Sequence, residues 1–325
     1  MDWSVSSLEK IPRIHLLPSL AERPGNAHKG MFGHALLVGG KQGMTGAITI
    51  AGQLALRCGA GLVTVAVPES SQACVATANP CFMTMGLPES SQGSLASHAC
   101  DLILARNKPG TALAIGPGLG RSSSTDAMVE TLYREWNETA IIDADGLNAL
   151  SDSLSWKSSL SWKRAWQETM GKGQHPELAP KIPPVKPARR ILTPHPGEWA
   201  RLCGAATDEP LQQRAAAVQI AAKLGVIVVL KGRNTWVTDG HQIYENQTGN
   251  PSLAVGGSGD ALTGIIVAML CQRLSPMDAS IFGVYLHGLA ADIAHEALGT
   301  PSTLATDLLN AIPAAFRTSK TRNRC

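Results

Sequence analysis

Short apolar runs recur along this chain at Ala35 to Val38, Leu62 to Val67, Ala112 to Ile115, Ala140 to Ile142, Arg190 to Thr193 and Val226 to Leu230. Segments of helical period, near 46–58, 122–136, 208–224, 257–273, 276–297 and 304–317, fill most of the intervals. The alternation predicts a single α/β domain, with a mostly parallel central sheet covered by helices on both faces and reached through right-handed crossovers. Several runs end in glycine- or acid-bearing turns: VGGKQGMTG after the first, IGPGLG after the third and IDADGLN after the fourth. Sites in such sheets collect beyond the carboxyl ends of the strands, so these turns are expected to share one rim and one cleft.

At 325 residues the chain is long enough to bury a large core, and 44% apolar with 16% charged residues describes a globular protein. A net charge of +3 is too weak to argue for nucleic acid, because Arg317, Lys320, Arg322 and Arg324 are expected to lie in a frayed C-terminal tail. The seven cysteines show no CxxC pair, which points to reduced thiols and a cytoplasmic protein. Neither a signal peptide nor a membrane span is apparent. The expected organisation is an extended arm at 1–27, the domain at 28–317 and a basic tail at 318–325. A block at 151–189 breaks the rhythm. It carries Trp156, Trp162 and Trp166 and ends rich in proline; Trp162 and Trp166 are four apart and could share a helix face, packed on the domain or on a neighbouring subunit.

The stretch LAVGGSGDALTG, Leu253 to Gly264, sets small residues before a single carboxylate and runs on into apolar residues at helical spacing. Glycine lets backbone N–H groups turn toward a ligand, and a helix starting near Ser258 would add its own free N–H groups and dipole. Gly256, Gly257, Ser258 and Gly259 therefore form a candidate anion cradle, with Asp260 as a candidate base. The alternative at this point is a helix-start acid after a glycine turn. IGPGLG is not GxGxxG and no GxxxxGK[ST] is present, so neither a dinucleotide dehydrogenase nor a P-loop enzyme is indicated. LKGRNTWV places Lys231, Gly232 and Thr235 between two strands, from which a backbone and a hydroxyl could hold a nucleotide; alone, such a segment is an ordinary hairpin.

The ordered set HKGMFGHALLVGG, QGMTGA, RCGAGLVTVAVP, AIGPGLG, IDADGLNAL, LTPHPGE, LKGRNT, NPSLAVGGSGD and VYLHGLAAD resembles the ADP/ATP-dependent NAD(P)H-hydrate dehydratases, whose domain is often fused to an NAD(P)H-hydrate epimerase. The resemblance runs from about His28 to Phe316, interrupted mainly by 151–189. It implies a ribokinase-like fold and repair of nicotinamide cofactors hydrated on the ring. It also implies that Lys231, Gly232, Arg233, Asn234 and Thr235, with Gly259, hold the adenine nucleotide. Ala47, Gly118 or Gly120, His195 and Asp260 resemble the positions facing the hydrated dinucleotide. Asn250 would support the loop, and Asp143 and Asp145 would orient phosphate or metal, or only brace their turn. His195, between two prolines, could equally cap or pack, and His287 is expected to be buried in a helix.

The implied reaction is phosphorylation of the ring hydroxyl by ADP, or ATP, accompanied by Mg²⁺, followed by loss of phosphate. Asp260 would take the hydroxyl proton and the cradle would stabilise the phosphoryl charge. No metal site built from side chains is expected. Met31 and His34 depart from the commoner residues around HKGxFG, with the flanking glycines kept. No epimerase-like segment precedes residue 28, so a separate epimerase is expected as the pathway partner, and a homo-oligomer as the assembly. Two other readings stay open: a small-molecule kinase of the same fold acting on a vitamin precursor, and a non-catalytic nucleotide sensor.

Overall fold

The computed structural model describes residues 5–153, 156–157, 190–203 and 209–322. Its strands are β1 (His34–Val38), β2 (Leu62–Pro68), β3 (Met83–Leu87), β4 (Thr111–Ile115), β5 (Ala140–Ile142), β6 (Arg190–Leu192), β7 (Ile227–Leu230), β8 (Trp236–Thr238) and β9 (Ile243–Glu245). They form one sheet in the order β3-β2-β1-β4-β5-β6-β7-β8-β9. Pairing is parallel from β3 through β7 and antiparallel from β7 through β9. The change of direction follows from connection length: the short links Lys231–Thr235 and Asp239–Gln242 can only reverse the chain, whereas parallel neighbours need a crossover.

The described helices are α1 (Thr45–Arg57), α2 (Glu69–Ala78), α3 (Ala99–Leu104), α4 (Ser123–Glu135), α5 (Ala144–Asp152), α6 (Pro196–Cys203), α7 (Pro210–Leu224), α8 (Ser258–Cys271), α9 (Pro276–Leu298) and α10 (Leu308–Arg322). Alternation along the strands divides the core. Ala35 and Leu37 of β1 pack with α1, α8, α9 and α10, while Leu36 and Val38 pack with α4, α5, α6 and α7. Helices on both faces are as the sequence predicts. The approach of α8 to α1 is set by Gly264, where a Cβ would run into the Ala51 carbonyl oxygen. That contact fixes where the head of α8 stands relative to the turn after β1.

Several boundaries differ from the sequence expectation. The arm at 1–27 is not simply extended: Val5–Lys10 is a 3-10 helix, and Leu8 and Ile11 are buried. The next residues lie on the outer strand, with the Ile14 amide donating to the Ile243 carbonyl at 2.7 Å and the Ile243 amide to that of Pro12 at 3.0 Å. The arm thus covers an edge that would otherwise offer unpaired backbone groups. The basic tail expected from 318 is helical through Arg322, because α10 runs five residues past the predicted end. The helix expected near 46–58 starts one residue earlier, at Thr45, with Met44 at its cap position.

The block at 151–189 begins inside the fold. Ser151 and Asp152 end α5, and buried Trp156 donates its Nε1–H to the Leu202 carbonyl at 2.9 Å and meets Tyr133 edge-on. Trp162, Trp166 and the proline-rich run lie outside the described residues. Among the described residues no helix is long and apolar enough to cross a membrane.

Candidate active site

The turns after β1, β4, β5, β6 and β7 meet at the carboxyl ends of the strands, as their glycines and acids suggest. The Gly40 amide donates to the Pro117 carbonyl, that of Lys41 to Gly118, and that of Lys231 to Pro194. Ala47, in the first turn of α1, touches the turn after β4: a Cβ on Gly118 would lie 3.2 Å from the Ala47 Cβ. Gly118 and Gly120 both have left-handed backbone, φ 58° and 71°, which permits so tight a turn. Asp145 braces it by accepting the Gly120 amide at 2.9 Å. Of the two roles left open for Asp145, this contact is the structural one.

Gly257 caps α8 with φ 89°. A Cβ there would press on the Ile50 Cδ1 and the Ala305 Cβ, at 3.0 and 3.1 Å. The helix starts at Ser258, so Gly259 and Asp260 fall in its first turn, where amides have no acceptor within the helix. Ser258 differs from its neighbours in the expected cradle. Its amide bonds the Val255 carbonyl at 3.3 Å, and its buried hydroxyl turns away, 3.3 Å from His287 Nε2. Of the four residues of the expected cradle, Ser258 is thus engaged behind the helix head, which leaves Gly256, Gly257 and Gly259. His287 is buried in α9, as expected, and its Nε2 also lies 3.0 Å from the Ser258 carbonyl oxygen. Burial lowers its pKa to about 4, so the ring is neutral and its Nε2–H serves as the donor.

Lys231 reaches across to this helix head. Its Nζ lies 2.9 Å from Asp143 Oδ1 and 3.8 Å from Glu198 Oε2, and a Cβ on Gly259 would stand 3.3 Å from it. Asp143, only 1% exposed, is held on three sides: by the Thr193 hydroxyl at 2.8 Å, the Thr263 hydroxyl at 2.7 Å and Lys231. The carboxylate of Asp260 completes the group. Burial raises its pKa to about 6, Asp143 reinforcing the shift and Lys231 opposing it, with smaller upward contributions from Glu198 and Asp145. An ammonium and a carboxylate poised near neutrality thus stand at a helix N-terminus, an arrangement that can hold a phosphoryl group and accept a proton beside it.

His195 serves as both a cap and an open surface. Its Nδ1 accepts the Gly197 amide at 3.0 Å, its own amide donates to Glu198 Oε2 at 2.8 Å, and its side chain is 52% exposed. Partial burial, with Lys231 and Arg201 nearby, keeps the imidazole below its ordinary pKa. The remaining residues of the KGRNT segment lie farther out. Gly232, Arg233 and Asn234 are exposed, and the Thr235 hydroxyl donates to the Gly232 carbonyl at 3.1 Å. Asn250 supports its loop by donating to Asp292 at 2.8 Å and accepting the Ser252 amide at 3.0 Å.

Sequence reasoning did not single out Glu198, Thr193 or Thr263. Glu198 carried a signal, since HPGE sets an acid three residues after a helix-start position, the spacing at which a side chain returns to the cap amide. The two threonines carried none. Among the described residues no three His, Cys, Asp or Glu side chains are grouped as a metal site.

A family model described as NAD(P)H-hydrate dehydratase matches residues 35–162 and 174–314. A bifunctional NAD(P)H-hydrate repair enzyme of Moorella thermoacetica is 40% identical over 304 residues, 92% of this chain and 52% of that protein. The chain spans about half the length of the curated relatives it matches. Among solved structures, the ADP/ATP-dependent NAD(P)H-hydrate dehydratase of Bacillus subtilis, co-crystallised with ATP/Mg²⁺, superposes with a TM-score of 0.71 at 29% identity, covering 98% of each chain. A ribokinase-like superfamily protein of Enterococcus faecalis gives 0.69 at 24% identity, covering 97% of this chain and 95% of that one, and its likeness speaks to the fold alone. With its mostly parallel sheet, its glycine-headed helix and these matches across most of its length, the chain belongs to the NAD(P)H-hydrate dehydratase family and has a ribokinase-like fold.

Proposed function

We propose that this chain dehydrates (S)-NAD(P)H hydrate to NAD(P)H, using ADP as phosphoryl donor. The observation that carries the reading is the convergence of Lys231 and Asp260 at Gly259, the head of α8. Hydroxide leaves a carbon poorly and phosphate leaves it well. The hydroxyl oxygen of the hydrated ring attacks the terminal phosphorus of ADP, its proton passes to Asp260, and AMP departs. The C–O bond then breaks with electrons supplied by the ring nitrogen, a ring proton is lost, and NAD(P)H and phosphate are the products. With ATP the same steps release ADP.

In this reading the amides of Gly256, Gly257 and Gly259 and the Lys231 ammonium meet the charge that spreads over the transferring phosphoryl. Lys231, Gly232, Arg233, Asn234 and Thr235 line the donor side. Ala47, Gly118, Gly120 and His195 line the side of the hydrated dinucleotide, with the neutral imidazole of His195 offering a hydrogen bond without a charge. Mg²⁺ neutralises phosphate charge when it is bound. With Asp143 already in three bonds and, among the described residues, no cluster of ligands grouped as a metal site, the ion would be held chiefly by the nucleotide phosphates.

The ATP/Mg²⁺ complex of the Bacillus subtilis relative supports an adenine-nucleotide donor, and the preference for ADP over ATP is our reading. The curated relatives are named as bifunctional repair enzymes, which supports an NAD(P)H-hydrate epimerase as the pathway partner of this activity. We further read the protein as a cytoplasmic homo-oligomer; the free thiols of Cys58, Cys74, Cys81, Cys100, Cys203 and Cys271 agree with a reducing compartment. The decisive experiment is recovery of reduced-nicotinamide absorbance from prepared NADH hydrate, with ADP and ATP supplied separately. Formation of a stable phosphoester of another alcohol, with no recovery from the hydrate, would replace this reading by that of a small-molecule kinase.

A further inference from the structure

Lys41 lies in the turn between β1 and α1. Its amide donates to the Gly118 carbonyl at 2.7 Å, and its own carbonyl accepts the Met44 amide at 2.7 Å. The side chain runs against the turn after β4: a Cβ placed on Gly120 would stand 2.5 Å from Lys41 Cδ and 3.5 Å from its Cβ and Cγ. The methylene stem is therefore laid along Gly120, and the ammonium is carried to the rim on the side of Ala47, Gly118 and Gly120.

Two neighbouring cations are already neutralised. Arg121 pairs with Asp126 at 2.7 Å and Asp152 at 3.0 Å, and Lys231 pairs with Asp143 at 2.9 Å. Among the described residues no carboxylate pairs with Lys41. A half-buried stem with an uncompensated ammonium at the rim beyond the carboxyl ends of the strands gives a positive potential that a phosphate would satisfy.

We propose that Lys41 is a phosphate-recognising residue for the dinucleotide substrate. This rests on the function proposed above. The shared chemistry is an anionic phosphate oxygen accepting from Nζ. It has two possible sources on the substrate: the pyrophosphate, common to both cofactors, and the 2′-phosphate of NADPH hydrate alone.

The test compares wild type with Lys41→Gln and with Lys108→Gln. Lys108 is an exposed lysine just before β4, at the opposite end of the strands, so its variant makes the same charge change away from the rim that holds Lys231 and Asp260. Steady-state constants are measured on NADH hydrate and NADPH hydrate with ADP saturating, and NADH and NADPH binding is measured by calorimetry. Lys41→Gln should raise KM about tenfold or more with kcat little changed, the pattern of lost uniform binding, and should weaken dinucleotide binding in parallel. Lys108→Gln should match wild type.

An effect on both cofactors assigns the pyrophosphate, and an effect confined to NADPH assigns the 2′-phosphate. Unchanged constants in Lys41→Gln, or a loss equal to that in Lys108→Gln, would overturn the proposal. If wild type turns over neither hydrate, the proposed function fails. Lys41 is then judged by calorimetry alone, where failure of wild type to bind either dinucleotide, or equal binding by the variant, overturns it.

Discussion

Lys231 Nζ lies 2.9 Å from Asp143 Oδ1, joining residues 88 positions apart at the end of a sheet, with the lysine side chain 17% and the aspartate 1% exposed. Burial opposes the charge on Lys231, yet Asp143 and Glu198 hold its pKa above the ordinary lysine value. Removing one partner strands the other charge in a poorly solvated place. Asp143→Ala should therefore cost about 3–5 kcal/mol of stability in urea unfolding. Adding Lys231→Met should restore part of that loss, since both charges are then gone. A double variant no more stable than Asp143→Ala would show that the pair is not coupled.

Asp260 should titrate visibly in the rate. Turnover should rise through about pH 6 as its carboxyl ionises, then level off. The stability effect runs the other way. Because the folded pKa, about 6, exceeds the unfolded value of 3.8, the contribution of Asp260 is fully present below about pH 3.8 and is lost as pH rises through about 6. Asp260→Asn should thus stabilise the protein at neutral pH by on the order of 2 kcal/mol while slowing turnover about 10²–10⁴-fold. ADP affinity should hardly move, because the glycine amides remain. A folded Asp260→Asn protein working at near wild-type rate would mean that this residue is only a helix-start acid.

Two glycines of α8 should respond in opposite ways to the same methyl group. At Gly264 the added Cβ meets the Ala51 carbonyl oxygen in the α1 interface, so Gly264→Ala should destabilise by about 1–3 kcal/mol or more. At Gly259 it meets only Lys231 Nζ, at 3.3 Å, and Gly259→Ala should melt near wild type yet lose turnover. Thermal melts and hydrate turnover on both variants check this, and a Gly259→Ala enzyme with full activity would remove close approach at Gly259 from the mechanism.

Thr235→Val should weaken ADP binding about tenfold and leave the fold intact, because among the described residues the hydroxyl bonds only the carbonyl of Gly232 in an exposed turn. Calorimetry measures it. Unchanged affinity would take the KGRNT segment out of the nucleotide site.

What the sequence determined by itself was local. Leu62 to Val67, Ala112 to Ile115 and the helical period from Ser258 each settle their own element, because β-branched or apolar runs and 3.6-residue spacing act over a few neighbours. GGSGD likewise announced a helix head, since glycine freedom and a first-turn acid are written in adjacent positions. Short or weakly patterned pieces escaped: β3, MTMGL, is an edge strand with little alternation, and β9 has three residues. They become strands only because a neighbour supplies the ladder.

Burial of the arm was also invisible, because Leu8 and Ile11 gain their apolar contacts only when the sheet edge exists to receive them. The charge network was the most tertiary feature of all. Asp143 gathers Thr193, Lys231 and Thr263 from separations of 50, 88 and 120 residues. Nothing in the chain near Asp260 foretells a pKa of about 6, since that value comes from desolvation and from charges that folding alone brings within reach.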